Sequence, residues 1–160
     1  RSPFTQGDHI KVNDFQGLVQ NLNMRGTTIL DLDGNLVLIP NTTVIQSVVQ
    51  NFSANPHKRS SFEVSIGQHE SFHQVQHLIL STLRAIPGIK DEPAPLVIVE
   101  NLGPTPVMKV KISFWFDAHS CSEATLKSVA MARIKDTLLA GGITVSGSEL
   151  KEEVRQQARD

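Results

Sequence analysis

Residues 106–116, PVMKVKISFWF, constrain the fold of this chain more than any other segment. Apolar side chains recur there at every second position, namely at Met108, Val110, Ile112, Phe114 and Phe116. Lys109, Lys111 and Ser113 lie between them. A period of two predicts a β-strand that buries one face and turns the other toward solvent. The chain must therefore supply a sheet and a layer that covers its apolar face.

Two amphipathic helices are predicted around this strand. The sequence Ser71-Phe72-His73-Gln74 fits a capping box with Ser71 at the N-cap, and Ser120-Cys121-Ser122-Glu123 fits a second one. Apolar residues then follow at helical spacing: Phe72, Val75, Ile79, Leu83 and Ile86 in the first helix, and Leu126, Ala130, Ile134 and Leu138 in the second. With strands at 62–66, 96–103 and 143–145, the order β-α-β-β-α-β is typical of a ferredoxin-like domain.

The first third of the chain has a different pattern, with short strands and turn signals. Strands are predicted at 9–12, 15–23, 27–32, 35–39 and 47–52. We expect a bend or bulge at Gly17 and a two-residue hairpin turn at Asp33-Gly34. Pro40 should end its strand or place it at a sheet edge, and Asn41 should cap a short helical turn. Five short strands with few helix signals favour a small β-barrel.

The polar segment ANPHKRSS, residues 54–61, is the predicted boundary between these two patterns. We therefore predict a β domain over residues 1–55 and an αβ domain over 56–148. The charged tail 149–160 has two large apolar residues, Leu150 and Val154. It is either frayed or a weak helix that needs a partner.

Composition narrows the function. Hydrophobic residues make up 39% of the chain and the net charge is -1, so nothing predicts disorder or an electrostatic attraction to a polyanion. The longest apolar runs, LVLI and LVIV, fall far short of the roughly 18 residues of a membrane span. Because the chain opens RSPFTQGD without an initiator Met, we expect it to belong to a longer protein in which membrane segments remain an open question.

An ordered set of short motifs resembles the small-conductance mechanosensitive channel family. The motifs include Pro3, Phe4, Gly7 and Asp8, then Gly17, Arg25, Asp33, Gly34, Pro40 and Asn41, each at the family's spacing. The match covers most of residues 3–55, and the αβ section continues in the family's order to about residue 145. The set is specific as a whole, although each motif alone would be weak evidence.

The resemblance implies a fold and a function. It implies an Sm-like five-stranded β-barrel followed by a ferredoxin-like domain, on the cytoplasmic side of a protein anchored in the cell's inner membrane by upstream helices. It further implies a homo-oligomer, usually a heptamer, around a hollow vestibule. Such a channel opens under membrane tension and releases ions and small osmolytes during hypo-osmotic shock. No enzyme activity, cofactor, metal or nucleic acid is implied.

Two segments depart from the family's pattern. The family often closes the αβ domain with an Ile-Pro-Phe-Pro-like segment, whereas residues 143–147 of this chain read ITVSG. The family's first αβ helix often begins near acidic residues, whereas His69, Glu70 and His73 lie in that region here. The form of the C-terminal exit and the local charge are therefore expected to differ.

Several polar residues allow a functional and a plain structural interpretation. His69, His73 and His77 lie at i, i+4 and i+8, yet the helix start at Ser71 leaves His69 outside, so a solvated flank is favoured over a zinc site. Cys121 is expected in the first helical turn, where the helix dipole can lower a thiol pKa, but no base is placed beside it. Lys109 and Lys111 either line the vestibule or belong to an ordinary solvated sheet face.

Other functions stay open as alternatives. An Sm-like barrel can bind RNA, but residues 1–55 carry Arg1, Lys11 and Arg25 against Asp8, Asp14, Asp31 and Asp33, which disfavours phosphate binding. An enzyme is disfavoured because no Gly-rich phosphate loop or nucleophile–base pair is recognisable. A purely structural oligomerisation domain would differ from the channel only in lacking a membrane segment.

Overall fold

The computed structural model describes residues 2–145. These residues are β-rich, with two antiparallel sheets and three helices. The chain divides into two compact units, the first ending at Pro56 and the second beginning at His57. Between residues 2 and 145, none of the helices has the length and hydropathy needed to cross a bilayer. The predicted tail, residues 149–160, lies outside the described residues.

The first unit is a five-stranded antiparallel sheet with one short helix. Its elements are β1 (His9–Val12), β2 (Phe15–Leu22), β3 (Gly26–Leu30), β4 (Leu36–Pro40), α1 (Asn41–Gln46) and β5 (Val49–Asn51). The strand order is β4-β3-β2-β1-β5, so β4 and β5 are the two outermost strands. The core consists of Phe4, Ile10, Val12, Val19, Ile29 and Ile39. Each predicted strand is present, and the prediction that Pro40 ends an edge strand is confirmed.

The bulge in this sheet is not at Gly17, where it was predicted. The register between β2 and β3 shifts between Val19 and Asn21, while Gly17 pairs regularly with Ile10. Gly17 is needed for another reason. A Cβ atom there would lie 2.3 Å from the carbonyl oxygen of Leu30. The missing side chain lets two backbones approach, which is the other common use of a glycine in a strand.

The turn between β3 and β4 is longer than the predicted two-residue hairpin. The strands separate after the pair Leu30 and Leu36. The backbone N–H of Gly34 donates to the backbone carbonyl oxygen of Asp31 at 3.1 Å. Gly34 has φ +83°, as expected for a turn that closes with a left-handed residue. The Asp31 carboxylate accepts from the backbone of Asp33 and Asn35, so the chain turns earlier than the Asp-Gly pair alone predicts.

The second unit is a three-stranded antiparallel sheet covered by two helices. Its elements are β6 (His57–Gly67), α2 (Phe72–Arg84), β7 (Leu96–Asn101), β8 (Val107–Asp117) and α3 (Glu123–Ala140), and the strand order is β6-β8-β7. The alternating residues of β8 are all buried in one cluster with the apolar stripes of both helices: Met108, Val110, Ile112, Phe114, Phe116, Val75, Ile79, Leu83, Leu126, Ala130, Ile134 and Leu138. The core predicted from the two periodicities is confirmed.

The two predicted helix starts have different outcomes. Ser71 is the N-cap of α2, and its hydroxyl accepts from the backbone N–H of Gln74, as predicted. The N-cap of α3 is Ser122 instead of Ser120, and its hydroxyl accepts from Thr125. The Asp117 oxygen accepts from the backbone of Ser120, so that residue belongs to the preceding turn.

The outer strands of this unit also differ from prediction. The segment 57–61, expected to belong to the linker, is the start of β6 and pairs with β8. The predicted strand 143–145 is reduced to one antiparallel bridge between Val145 and Ile66. Ile143 is buried in the core, which explains why this segment is apolar without forming a full strand.

Candidate functional site

Asp8 anchors the N-terminal segment of the first unit. Its carboxylate accepts from the backbone N–H of Thr5 at 3.0 Å and from the side-chain amide of Asn51 at 3.0 Å. Asn51 also donates to the carbonyl oxygen of Pro3 at 3.3 Å. Asp8 and Pro3 are therefore tied to β5 through one amide. The geometry gives Asp8 a structural role, since a carboxylate satisfied by two donors within its own fold has little need of a ligand.

Phe4 and Gly7 complete this arrangement. Phe4 is buried in the core of the first unit. Gly7 has φ +91°, and its N–H donates to the carbonyl oxygen of Val19 at 2.9 Å. A residue with a side chain rarely adopts this conformation, so glycine is required for the turn that carries Phe4 into the core.

Pro40 and Asn41 join the end of β4 to the turn before β3. Asn41 was expected to cap α1, but it is the first helical residue, and α1 has no side-chain cap. Its side-chain amide donates to the Met24 oxygen at 2.9 Å, and its backbone N–H donates to the Arg25 oxygen at 3.3 Å. Asn41 thus fixes the turn that contains Arg25. The predicted motif residues are distributed over several strands and turns of one scaffold.

The outer face of the first sheet exposes a row of leucines. Leu18, Leu30 and Leu36 are cross-strand neighbours on β2, β3 and β4, and Leu38 follows Leu36 on the same face of β4. Leu36 is 68% exposed and Leu38 is 56% exposed. We call these four residues the leucine strip. Since it ends on β4, an outermost strand of the sheet formed by the described residues, exposed apolar side chains lie beside a strand edge, and both are typical of an association surface.

The outer face of the second sheet is charged. Glu63 on β6 is paired with Lys111 on β8, and Lys109 is paired with Ser65. Glu100 on β7 faces the same region. A hydrogen bond with the Glu63 carboxyl, and secondarily desolvation and repulsion from Glu63, raises the pKa of Glu100, while both lysines oppose this shift. Lys109 and Lys111 therefore share their face with two acidic residues, and the face is of mixed charge instead of purely basic.

The histidines do not gather into a ligand set. His73 and His77 are exposed on α2, whereas His69 precedes the helix and lies 3.1 Å from the Glu70 carboxylate. Within residues 2–145, no cluster of three metal-ligating side chains is found. Cys121 is half-buried and precedes the Ser122 N-cap, so it is not in the first turn of α3 as predicted.

Sequence reasoning missed two features of these surfaces. The alternation in β4 was recognised only as apolar content, although Leu36 and Leu38 occupy the face opposite Ile39. The alternation Phe62, Val64, Ile66 already placed Glu63 on the outer face of β6. Its encounter with Glu100 could not be derived, because it depends on the strand order β6-β8-β7.

Comparisons with known proteins agree with the motif pattern. Residues 1–54 match the family described as mechanosensitive ion channel, beta-domain. An uncharacterised MscS family protein of Archaeoglobus fulgidus is 28% identical over 143 residues, which cover 89% of this chain and 50% of the relative. Another from Aquifex aeolicus is 27% identical over 124 residues, covering 76% of this chain and 33% of the relative. The chain thus spans half or less of the length of these two relatives.

Solved structures show the same fold over both units. The crystal structure of Helicobacter pylori MscS in its closed state has a TM-score of 0.81 and 23% identity, covering 91% of this chain and 56% of that one. The structure of Arabidopsis thaliana MSL1 A320V has a TM-score of 0.79 and 17% identity, covering 91% of this chain and 56% of that one. The chain is therefore MscS-like: residues 1–54 match the model of the mechanosensitive ion channel β-domain, and both units are similar in fold to MscS structures.

Proposed function

We propose that this chain is the cytoplasmic part of a channel that opens under membrane tension and releases ions and small osmolytes. In this proposal, the first unit is an Sm-like barrel and the second a ferredoxin-like domain. Several copies, seven as is usual in the family, enclose a vestibule beneath helices in the inner membrane. The β-domain match over residues 1–54 supports the channel, and the element order of the second unit supports the ferredoxin-like topology.

The observation that carries the assembly is the leucine strip, which ends on β4. An edge strand that exposes Leu36 and Leu38 would promote uncontrolled aggregation unless a partner covers it. Burying the exposed parts of both side chains contributes about 2–3 kcal/mol per contact at the usual values for leucine. A second copy of the same chain could repeat this contact around a ring by placing β4 against the other outermost strand, β5, of its neighbour, because a contact between two different edges is head-to-tail.

Assembly can be tested on this chain by light scattering coupled to size exclusion. We expect an oligomer for the wild type, and a lower mass for Leu36→Asp/Leu38→Asp, because two buried charges would oppose the contact. Met24→Asp/Leu32→Asp is the matched control, since it adds the same charge at exposed apolar residues of two turns. A wild type that stays monomeric at all concentrations would contradict the ring formed by this segment.

Channel activity is tested on the complete protein. Pressure applied to membrane patches that contain it should elicit currents, and cells that express it should survive hypo-osmotic shock. If no current follows tension in patches with verified expression, the channel proposal fails. If light scattering still shows an oligomer in that case, a purely structural oligomerisation domain is the remaining alternative.

The charged face of the second sheet bears on ion preference. If Lys109 and Lys111 line the vestibule, Lys109→Glu/Lys111→Glu should shift the reversal potential in asymmetric salt toward cation permeation. The two acidic neighbours, Glu63 and Glu100, partly offset the lysines in the wild type, so we expect weak selectivity there. Equal reversal potentials in both proteins would assign this face to ordinary solvent exposure.

The proposal includes no enzyme activity, cofactor or nucleic acid. The side chains of Asp8 and Asn41 hold turns of the fold, which supports a structural role for both. RNA binding by the first unit is tested by a gel shift at two salt concentrations. A salt-sensitive complex would revive that alternative.

A further inference from the structure

The loop between β7 and β8, residues 102–107, has more hydrogen-bond acceptors than donors in its backbone. Its sequence LGPTPV has six carbonyl oxygens but four backbone N–H groups, because Pro104 and Pro106 have none. Both proline rings also fix part of the backbone, so the carbonyl groups have little freedom to turn toward other donors. We call this segment the carbonyl loop. It needs an electropositive partner from another part of the chain.

Gln68, in the turn after β6, supplies that partner. Its backbone N–H donates to the Pro106 oxygen at 3.0 Å. Its side-chain nitrogen Nε2 faces four more carbonyl oxygens of the loop. They are the oxygens of Leu102 at 3.1 Å, Gly103 at 2.8 Å, Thr105 at 2.7 Å and Val107 at 3.3 Å. Gln68 thus contacts five of the six carbonyl oxygens of the loop.

One amide group cannot satisfy all of these oxygens. The NH2 group of a glutamine has two hydrogens, so it forms at most two full hydrogen bonds with the four oxygens around Nε2. Carbonyl oxygens that converge on one point are also the arrangement that replaces the water shell of a bound cation. The Gln68 amide nitrogen therefore lies where the loop would hold such a cation.

Other contacts hold the carbonyl loop in this shape. The backbone N–H of Gly103 donates to the side-chain oxygen of Asn101 at 2.6 Å, and the Thr105 hydroxyl donates to the Val107 oxygen at 3.1 Å. Gln68 and Leu102 are exposed, so an ion can reach the loop from solvent. The oxygens are preorganised and accessible, which lowers the cost of binding a ligand there.

The distances and the ligand type indicate which cation fits. Oxygen atoms bind Ca²⁺ at about 2.3–2.6 Å and Mg²⁺ at about 2.0–2.1 Å. Each distance from Nε2 to the four oxygens is longer than these. Both divalent ions are usually bound by carboxylates, whereas the loop offers uncharged oxygens. Rings of uncharged carbonyl oxygens are known to bind K⁺. The carbonyl loop therefore fits a monovalent cation of that size.

We propose that the carbonyl loop and Gln68 form a binding site for a monovalent cation of the size of K⁺. The terminal torsion of glutamine is soft, so half a turn of the amide exchanges Nε2 for Oε1. Without an ion, Oε1 would face four other acceptors and be repelled. With an ion between them, Oε1 becomes a further ligand. The amide nitrogen thus fills the site in the ion-free state, and the amide oxygen completes it in the bound state.

NMR of the 2H,15N-labelled full chain in K⁺ tests this site. Choline, whose charge is enclosed by methyl groups, is exchanged for K⁺ so that the ionic strength stays constant. Each amide nitrogen is bonded to the preceding carbonyl carbon, so Gly103 reports on the Leu102 oxygen and Met108 on the Val107 oxygen. Both 15N signals should shift saturably with K⁺, while that of Val97 in β7 stays in place. Titration without a saturable shift of Gly103 and Met108 would overturn the proposal.

Other cations test the size of the site. Na⁺ and Ca²⁺ should shift the same signals only at higher concentrations than K⁺ does, because smaller cations require the oxygens to move closer together. Tighter binding of Na⁺ or Ca²⁺ than of K⁺ would overturn the assignment to a cation of this size.

Gln68→Glu distinguishes a cation site from a loop that is held by hydrogen bonds alone. A carboxylate has no hydrogen to donate, so the variant should lower the thermal stability of the second unit in choline, and K⁺ should restore it. The variant should also bind K⁺ about tenfold more tightly than the wild type, which is the factor that Coulomb attraction at about 3 Å gives in water.

Gln74→Glu is the matched control for this variant. It adds the same charge at an exposed residue in the first turn of α2, so it should leave the affinity for K⁺ close to that of the wild type. If Gln68→Glu binds K⁺ no more tightly than Gln74→Glu does, the proposal fails. Neither outcome depends on whether the complete protein conducts ions.

Discussion

Replacing Gly17 by Ala should weaken the first unit strongly, because β2 and β3 approach there without room for a side chain. The added Cβ would lie 2.3 Å from the Leu30 oxygen and 2.7 Å from the Leu30 carbonyl carbon. Ordinary contacts between such atoms are about 3.5 Å, so the two strands must separate locally by about 1 Å. A backbone hydrogen bond of about 2.9 Å does not survive such a displacement.

The cost follows from these contacts. Overpacking costs about 1–3 kcal/mol, and each lost backbone hydrogen bond adds about 1 kcal/mol. Alanine restricts the unfolded chain more than glycine does, which stabilises the folded state by about 0.4–1 kcal/mol and partly offsets this cost. We therefore expect a net loss of about 2–3 kcal/mol in the free energy of unfolding of the first unit.

Urea denaturation followed by methyl NMR of Ile29 measures this loss within the first unit. With a slope of about 1–3 kcal/mol per molar urea, the midpoint should fall by about 1–3 M. Gly34→Asn is the control. Gly34 has φ +83°, and a Cβ added there would meet no atom within 4 Å, so asparagine, which tolerates that φ, should cost less. A Gly17→Ala midpoint equal to that of the wild type, or no lower than that of Gly34→Asn, would refute the close-approach explanation.

Three further predictions concern the caps, the charged face and the β4 turn. Ser122→Ala should lower stability by about 1 kcal/mol in thermal or urea unfolding, whereas Ser120→Ala should leave it nearly unchanged, because only Ser122 caps α3. The pKa of Glu100 should be raised above its ordinary value in carboxyl 13C NMR, and it should fall in Glu63→Ala, which removes both the hydrogen bond with the Glu63 carboxyl and the like charge. Since the folded-state pKa is raised, the stabilisation from Glu100 is complete below the unfolded pKa and is lost as pH rises through the folded one; pH-independent stability across that window would contradict this. Asn41→Ala should accelerate amide exchange in the turn that its side chain holds, and unchanged exchange there would show that the backbone alone fixes it.

The sequence predicted those parts of the fold that depend on local periodicity. The alternation of β8 and the helical stripe of α2 each identify a buried face within one element, and Ser71 caps α2 through a bond three residues away. Each of these interactions joins residues close together in the sequence, so the sequence pattern alone predicts them. The edge position of Pro40 follows equally from the missing N–H of proline.

Predictions failed where two structures compete locally or where distant strands meet. Ser120 and Ser122 both precede α3 at positions compatible with a cap. The backbone carbonyl oxygen of Asp117 accepts from the backbone N–H of Ser120, which places Ser120 in the preceding turn and leaves Ser122 as the cap. The role of Gly17 depends on how closely Leu30 approaches from another strand. The leucine strip and the contact between Glu63 and Glu100 likewise require the strand order, which no single segment specifies.

The pairing of β6 with β8 has a mechanical consequence. These strands are in register from His57 to Gly67 against Asp117 to Val107. The linker from the first unit enters β6 at His57, and the chain leaves from Val145, which is bridged near the other end of the same strand. A pull between these two points runs along β6. It loads the ladder in shear, so that its hydrogen bonds must yield together instead of opening one by one from an end. The second unit should therefore unfold at a much higher force when it is pulled along this line than when it is pulled across the strands.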